Sequence, residues 1–269
     1  VADARTPAFR VQGAALAYEL TGPEDPDAPV FVQMHGLTSS AWREHRAGLD
    51  MTAGLPRSMR VLRYDARGHG ASTGRAVPYD YLWPKLADDL LKLLDQAAPG
   101  QAVHAAGPSM GSATLLYAAL RDPERFRTLT LMVPPTAWET REHQGESYRA
   151  SADLVEKQGI GAFVRVGEDV LPPPALADRP KERVPAVSQE LLPSIFRGAA
   201  MTDLPALEDI RSISAPVQVF AWADDHTHPV STAQKLHRAI PGCQLRIAET
   251  PEDLQTWPAA TASFLERHS

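Results

Sequence analysis

Short apolar runs alternate with longer segments of helical period along most of this chain. Runs of strand length fall at 9–12, 14–20, 30–35, 59–64, 102–106, 128–133, 217–222 and 244–248. Several are apolar almost throughout, as strands covered on both faces must be. Between them lie helical patterns at 42–53, 81–97, 110–121, 232–240 and 257–267. This alternation predicts βαβ units and a mostly parallel central sheet with helices on both faces. A turn at Gly13 joins the first two runs into a hairpin, which adds an antiparallel edge.

From Pro134 to about Ala215 no strand pattern appears, and 139–158 and 188–198 have helical character. A structureless loop of that length is improbable inside a compact domain, so the segment predicts an inserted helical unit. The chain therefore divides into a core of 1–135 and 213–269 and a helical lid of 136–212.

Composition narrows the function without changing this layout. The 269 residues are 43% hydrophobic and 22% charged, with a net charge of −6. That balance excludes disordered, collagen-like and disulfide-rich chains. Mild acidity offers no basic face to nucleic acid or anionic lipid, and a small-molecule substrate fits better. Ten of the 24 prolines lie in 134–216, the stretch that holds the predicted lid. The lone Cys243 has no internal partner and reads as a buried small hydrophobe. No apolar run approaches the ~18 residues of a membrane span, and no signal-peptide pattern opens the sequence, so a cytoplasmic setting is expected.

The strongest chemical signal is Gly107-Pro108-Ser109-Met110-Gly111, directly after one predicted strand and directly before a predicted helix. In this context a G-x-S-x-G sequence forms a nucleophile elbow: the flanking glycines relieve crowding and the turn lifts the Ser109 hydroxyl above the sheet edge. The helix N-terminus then directs N–H groups at the site. After an earlier strand, His35-Gly36-Leu37-Thr38 can leave the Leu37 N–H directed inward. Together the Leu37 and Met110 N–H groups would make a two-donor oxyanion hole. His35 itself reads as structural.

With Tyr64-Asp65-Ala66-Arg67-Gly68-His69-Gly70-Ala71-Ser72 after the next strand, the set resembles the α/β-hydrolase superfamily over residues 8–135 and 213–268. The resemblance implies an α/β-hydrolase fold interrupted by a lid. It gives Asp65, Arg67 and His69 a turn-shaping role, and puts the triad acid after the seventh strand. Asp224 and Asp225 both lie there, and Pro229, four residues after Asp225, favours Asp225.

The family base belongs between the last strand and the last helix, where the chain reads Glu249-Thr250-Pro251-Glu252-Asp253-Leu254-Gln255-Thr256 and has no histidine. His237 and His268 read as solvent-facing. Three arrangements remain. His228, or less readily His226, reaches Ser109 from the acid loop, although an i,i+3 pairing with Asp225 strains the alignment. Glu252 or Asp253 acts through water. Or the fold binds or transforms its ligand without an acyl-enzyme, as a binding protein, lyase or cyclase.

Trp138 and Tyr148 are candidate pocket walls, Trp42 and Trp83 read as helix-packing residues, and His104 as a core histidine. His226, His228 and Asp225 could be drawn as metal ligands, but no second cluster completes a site. The expected activity is hydrolysis of a small carboxylic ester, lactone or related acyl compound. Ser109, Asp225 and His228 carry it, and neither cofactor nor metal is called for.

Overall fold

The computed structural model describes residues 7–180 and 183–269. Residues 1–6 of the expected core segment and 181–182 of the expected lid lie outside them. Eight strands form one sheet: β1 (Ala8–Val11), β2 (Ala14–Thr21), β3 (Val30–Gln33), β4 (Arg60–Tyr64), β5 (Val103–Pro108), β6 (Phe126–Met132), β7 (Val217–Trp222) and β8 (Gln244–Ala248). Their order is β1-β2-β4-β3-β5-β6-β7-β8. The β1/β2 and β2/β4 pairs are antiparallel and the other five parallel.

The period-2 alternation of the central strands sorts the core into two layers. Val30, Val32, Leu129, Leu131, Val217 and Val219 face α2 (Trp83–Ala97), α3 (Met110–Arg121) and α8 (Val230–Ala239), packing with Leu90, Leu116 and Leu236. Phe31, Met132, Phe220 and Trp222 face the opposite side, where α10 (Trp257–Glu266) supplies Trp257 and Phe264. Near-continuous apolar runs are the consequence of covering both faces.

The predicted helix over 42–53 is two pieces: α1 (Ala41–Ala47) and a 3-10 turn (Met51–Gly54) capped by the Asp50 carboxylate on the Thr52 N–H at 2.9 Å. Gly48 at φ +76° ends the first piece. Trp42, read from the sequence as a packing residue, is instead 67% exposed, with the Arg46 guanidinium over its ring. Trp83 is buried.

Between β6 and β7 lie α4 (Arg141–Gln158), α5 (Ile160–Val166), α6 (Leu192–Ala200) and the short α7 (Leu207–Ile210). Tyr148, Ala152, Val155, Ile195 and Phe196 make a separate apolar cluster between α4 and α6, with Phe163 of α5 against it. Leu204 and Ile210 pack into the core layer beneath the sheet. The segment is tied down over the sheet by main-chain bonds at Ala186, whose N–H donates to Thr38 and whose carbonyl accepts from Gly70, both at 2.7 Å. Among the described residues, no helix is long and apolar enough to cross a membrane.

Candidate active site

Ser109 sits at φ +52°, ψ −110°, between β5 and α3. This region is hostile to any residue with a Cβ. Its surroundings over-determine it. The Ser109 N–H donates to Met132 at 2.9 Å, and the Ser112 hydroxyl bonds the Gly107 and Met132 carbonyls at 2.7 and 2.9 Å. The flanking glycines are there for close approach. A Cβ on Gly107 would stand 3.0 Å from the Gly111 backbone, and one on Gly111 would stand 3.1 Å from the His35 carbonyl.

The loop after β7 brings the acid and the histidine together. Asp224 takes the left-handed conformation, at φ +56°, and turns the chain so that Asp225 faces inward while Asp224 and His226 stay exposed. Asp225 Oδ1 accepts the Thr227 and His228 N–H groups at 2.8 and 3.2 Å, an Asx turn that curls the loop back on its own carboxylate. Oδ2 accepts the Trp222 indole N–H at 2.7 Å and His228 Nδ1–H at 2.8 Å. The curl removes the alignment problem expected of an i,i+3 pair. His228 Nε2 then lies 2.9 Å from Ser109 Oγ. With Nδ1–H held by the carboxylate, Nε2 is left as the acceptor for the serine hydroxyl. Burial opposes the Asp225 charge, but the bonds and charge from His228, the Trp222 indole and the Thr227 N–H outweigh it and hold the carboxyl well below its ordinary range.

On the other side of Ser109, the loop after β3 is pinned at successive peptides. His35 Nε2 accepts the Ala66 N–H at 2.8 Å, which leaves Nδ1–H to donate to the Gly36 carbonyl at 2.8 Å. That carbonyl belongs to the peptide carrying the Leu37 N–H. One peptide earlier, the Gly36 N–H donates to Glu44 Oε1 at 2.9 Å. Among the described residues, neither the Leu37 nor the Met110 N–H is donated to another protein group. Burial lowers His35 to about 4, so the ring stays neutral.

Two cavities reach Ser109 and His228. One of about 520 Å³ is walled by Tyr148, Leu154, Phe163, Val170 and Phe196. A smaller one of about 240 Å³ runs under Leu37 past Glu44 and Arg43 to Trp222. Tyr148 thus stands in the wall of the larger cavity. Trp138 lines neither: its indole N–H donates to the Pro205 carbonyl at 3.1 Å, and Asp203 holds its main-chain N–H. It lies toward α8, with Lys235 Nζ 5.6 Å from the centre of its ring.

The remaining candidates fall away from the serine. The Asp253 carboxylate accepts the Glu249 and Thr250 N–H groups as part of a capping box, and both Glu252 and Asp253 are exposed. His237 is exposed, and His268 packs on Phe264. His104 is buried and bonds Thr128 at 2.8 Å. Asp65 accepts from the Ala41 and Ala71 N–H groups, while Arg67 is buried on Asp89 at 2.6 Å. The thiol of Cys243, just ahead of β8, is buried and pushed up to about 12 by that burial. No group of three or more His, Cys, Asp or Glu among the described residues is arranged to hold a metal. Sequence reading missed Glu44, Phe163 and Phe196; nothing in their local pattern separates them from ordinary helix residues.

Comparison with known proteins agrees with this architecture. The sequence profile of the alpha/beta hydrolase fold family matches residues 29–153. The 3-oxoadipate enol-lactonase 2 of Acinetobacter baylyi is 30% identical over 243 residues, covering 88% of this chain and 86% of that protein. A crystal structure of a hydrolase from Pseudomonas aeruginosa PA01 superposes with a TM-score of 0.77 at 26% identity, over 98% of this chain and 99% of that one. The enol-lactonase from Burkholderia xenovorans LB400 shares the fold, with a TM-score of 0.73 at 22% identity over 97% and 98% of the two chains. Sheet order, elbow and these likenesses agree: the chain belongs to the α/β-hydrolase fold family, and its relatives are hydrolases.

Proposed function

We propose that the protein hydrolyses a small carboxylic ester or lactone, with Ser109 as nucleophile, His228 as general base and Asp225 as the partner that orients and charges the base. The observation that carries this is the unbroken hydrogen-bond relay from Asp225 through His228 to the Ser109 hydroxyl. Ser109 Oγ attacks the acyl carbonyl as its proton passes to His228 Nε2, and Asp225 stabilises the imidazolium. The carbonyl electrons move onto oxygen, where the Leu37 and Met110 N–H groups receive the charge. Collapse expels the alkoxide, which takes the proton from His228; in a lactone it stays tethered to the acyl group. Water, deprotonated by His228, then releases the acid and restores Ser109.

The apolar cavity walled by Tyr148, Phe163 and Phe196 favours a substrate with an apolar acyl or ring portion. Helices α4 to α6 serve as the lid over it. The enol-lactonase likeness points to a lactone among the possible acyl substrates.

Labelling with a fluorophosphonate tests the nucleophile. The parent should be modified once and Ser109→Ala not at all, with p-nitrophenyl butyrate turnover lower in the variant by roughly 10⁵–10⁶-fold. Equal turnover in parent and variant would return the chain to the non-hydrolytic alternative. His228→Ala should lose activity to a similar extent, and undiminished turnover there removes His228 from the mechanism.

A further inference from the structure

Behind the loop that carries Leu37 lies a carboxyl group the mechanism does not yet use. Glu44 of α1 is only 2% exposed. Its Oε1 accepts the Gly36 N–H at 2.9 Å, and its side chain lines the 240 Å³ cavity together with Ser109 and His228. A side chain on Gly36 would begin 3.7 Å from Ser109 Cβ and 3.8 Å from Glu44 Oε1, so the carboxyl and the serine both border the space at one glycine.

The groups around it do not compensate a charge. Arg43, one residue earlier on α1, donates to the Val184 carbonyl. Arg183 approaches Glu168 at 4.0 Å. Asp50, past the end of α1, is held by Arg63 at 3.0 Å and adds negative potential. His35 is neutral, and across the cavity His228 is committed to Asp225. Among the described residues, no cation comes within ion-pair distance of Glu44. Burial, opposed by the Gly36 and Ser39 bonds and helped by Asp50, raises its carboxyl to about 7.

We infer that Glu44 is a positioning residue that works in its neutral form: its carbonyl oxygen holds the Gly36 N–H and so fixes the Leu37 donor, while loss of its proton places a negative charge beside the developing oxyanion and slows acylation. This rests on the proposed roles of Ser109 and Leu37. A neutral carboxyl keeps an acceptor for the N–H, so ionisation gains little in positioning. It does add repulsion beside the site from a buried group, where charges are poorly screened.

The pH profile of kcat/KM for p-nitrophenyl butyrate tests this. The parent should lose about tenfold or more between about pH 7 and about pH 9. Glu44→Gln keeps a neutral acceptor and should hold its activity across that range, within about threefold of the parent maximum. An independent variant, Asp50→Asn, removes one of the causes that raise Glu44, and should move the alkaline limb to lower pH. A protonated-carboxyl infrared band in the parent, absent from Glu44→Gln and fading through about pH 7, gives the ionisation without activity. The same alkaline limb in Glu44→Gln, an unmoved limb in Asp50→Asn, or no such band each overturns the inference and leaves Ser109 untouched. Equal turnover by Ser109→Ala overturns both.

Discussion

At the scale of single residues, the site is bought with backbone strain at Ser109. A non-glycine residue at φ +52°, ψ −110° costs on the order of 1–3 kcal/mol. Ser109→Gly relieves that strain, and the extra flexibility of the unfolded chain returns roughly 0.5–1 kcal/mol of it. The variant should therefore be inactive yet more stable than the parent by about 1 kcal/mol, read as a higher urea midpoint at unchanged slope. Ser109→Ala, which keeps the Cβ, should show no such gain. Asp225→Asn separates orientation from charge: with Nδ1–H no longer held by a carboxylate, turnover should fall about 10⁴-fold. How far the site was legible also varies residue by residue. Ser109 announces itself because glycines on either side of a serine, between a strand and a helix, have few other purposes. His228 could be ranked ahead of its rivals but its geometry could not be read, because its reach depends on the Asx turn at Asp225 and the left-handed Asp224. Glu44 was invisible: a glutamate on a short helix reads as solvated, and only the burial of α1 against the β3 loop makes it otherwise.

Among elements, period and flanking glycines located all eight strands, because coverage of both faces leaves a strong apolar signal. The boundaries that slipped are those set by a local turn or cap inside a helical apolar pattern. One is the break between α1 and the 3-10 turn at Met51–Gly54, after Gly48 at φ +76°, and another is the separate helix α9 (Pro251–Gln255), which the Thr250–Asp253 capping box starts ahead of α10. The ties between elements were less legible. Arg67, in the loop after β4, is buried with Nε and Nη2 on the Asp89 carboxylate of α2 at 2.6 and 2.8 Å, and a third nitrogen 3.5 Å from Asp80. Burial pushes Asp89 up while the Arg67 bond and charge pull it down. Removing one partner strands the other, so Arg67→Ala should cost about 3–5 kcal/mol in urea unfolding. Replacing both, as Arg67→Met with Asp89→Leu, should recover most of that loss, since a packed apolar pair avoids both desolvation costs. A double variant no more stable than Arg67→Ala would mean that the pair holds the loop by geometry that packing does not replace.

Over the whole molecule, buried ionisable groups couple the site to folding through pH. Burial comes first among the causes that lower His35 to about 4, His69 to about 3 and His104 to about 4, against 6.5 for each when exposed. Below pH 6.5 the unfolded chain therefore binds protons at three rings that the folded chain leaves neutral, and stability falls as pH falls. Glu44 acts in the opposite sense. Its folded value of about 7 lies above 4.5, so between those limits the folded chain holds a proton the unfolded chain has lost. Across about pH 4.5–6.5 the proton on Glu44 offsets one of the three taken up by the histidines. Glu44→Gln removes the offset, so the slope of unfolding free energy against pH should steepen by about 1.4 kcal/mol per pH unit in that window. Above about pH 7 Glu44 is ionised in both folded and unfolded chains, so the gap opened across that window persists and Glu44→Gln should remain the more stable protein there. Urea unfolding of both proteins at half-unit intervals reads the two curves directly. Parallel curves would mean that Glu44 is ionised in the folded state throughout, and a charged Glu44 beside the Leu37 donor would then have to be reconciled with any oxyanion forming there.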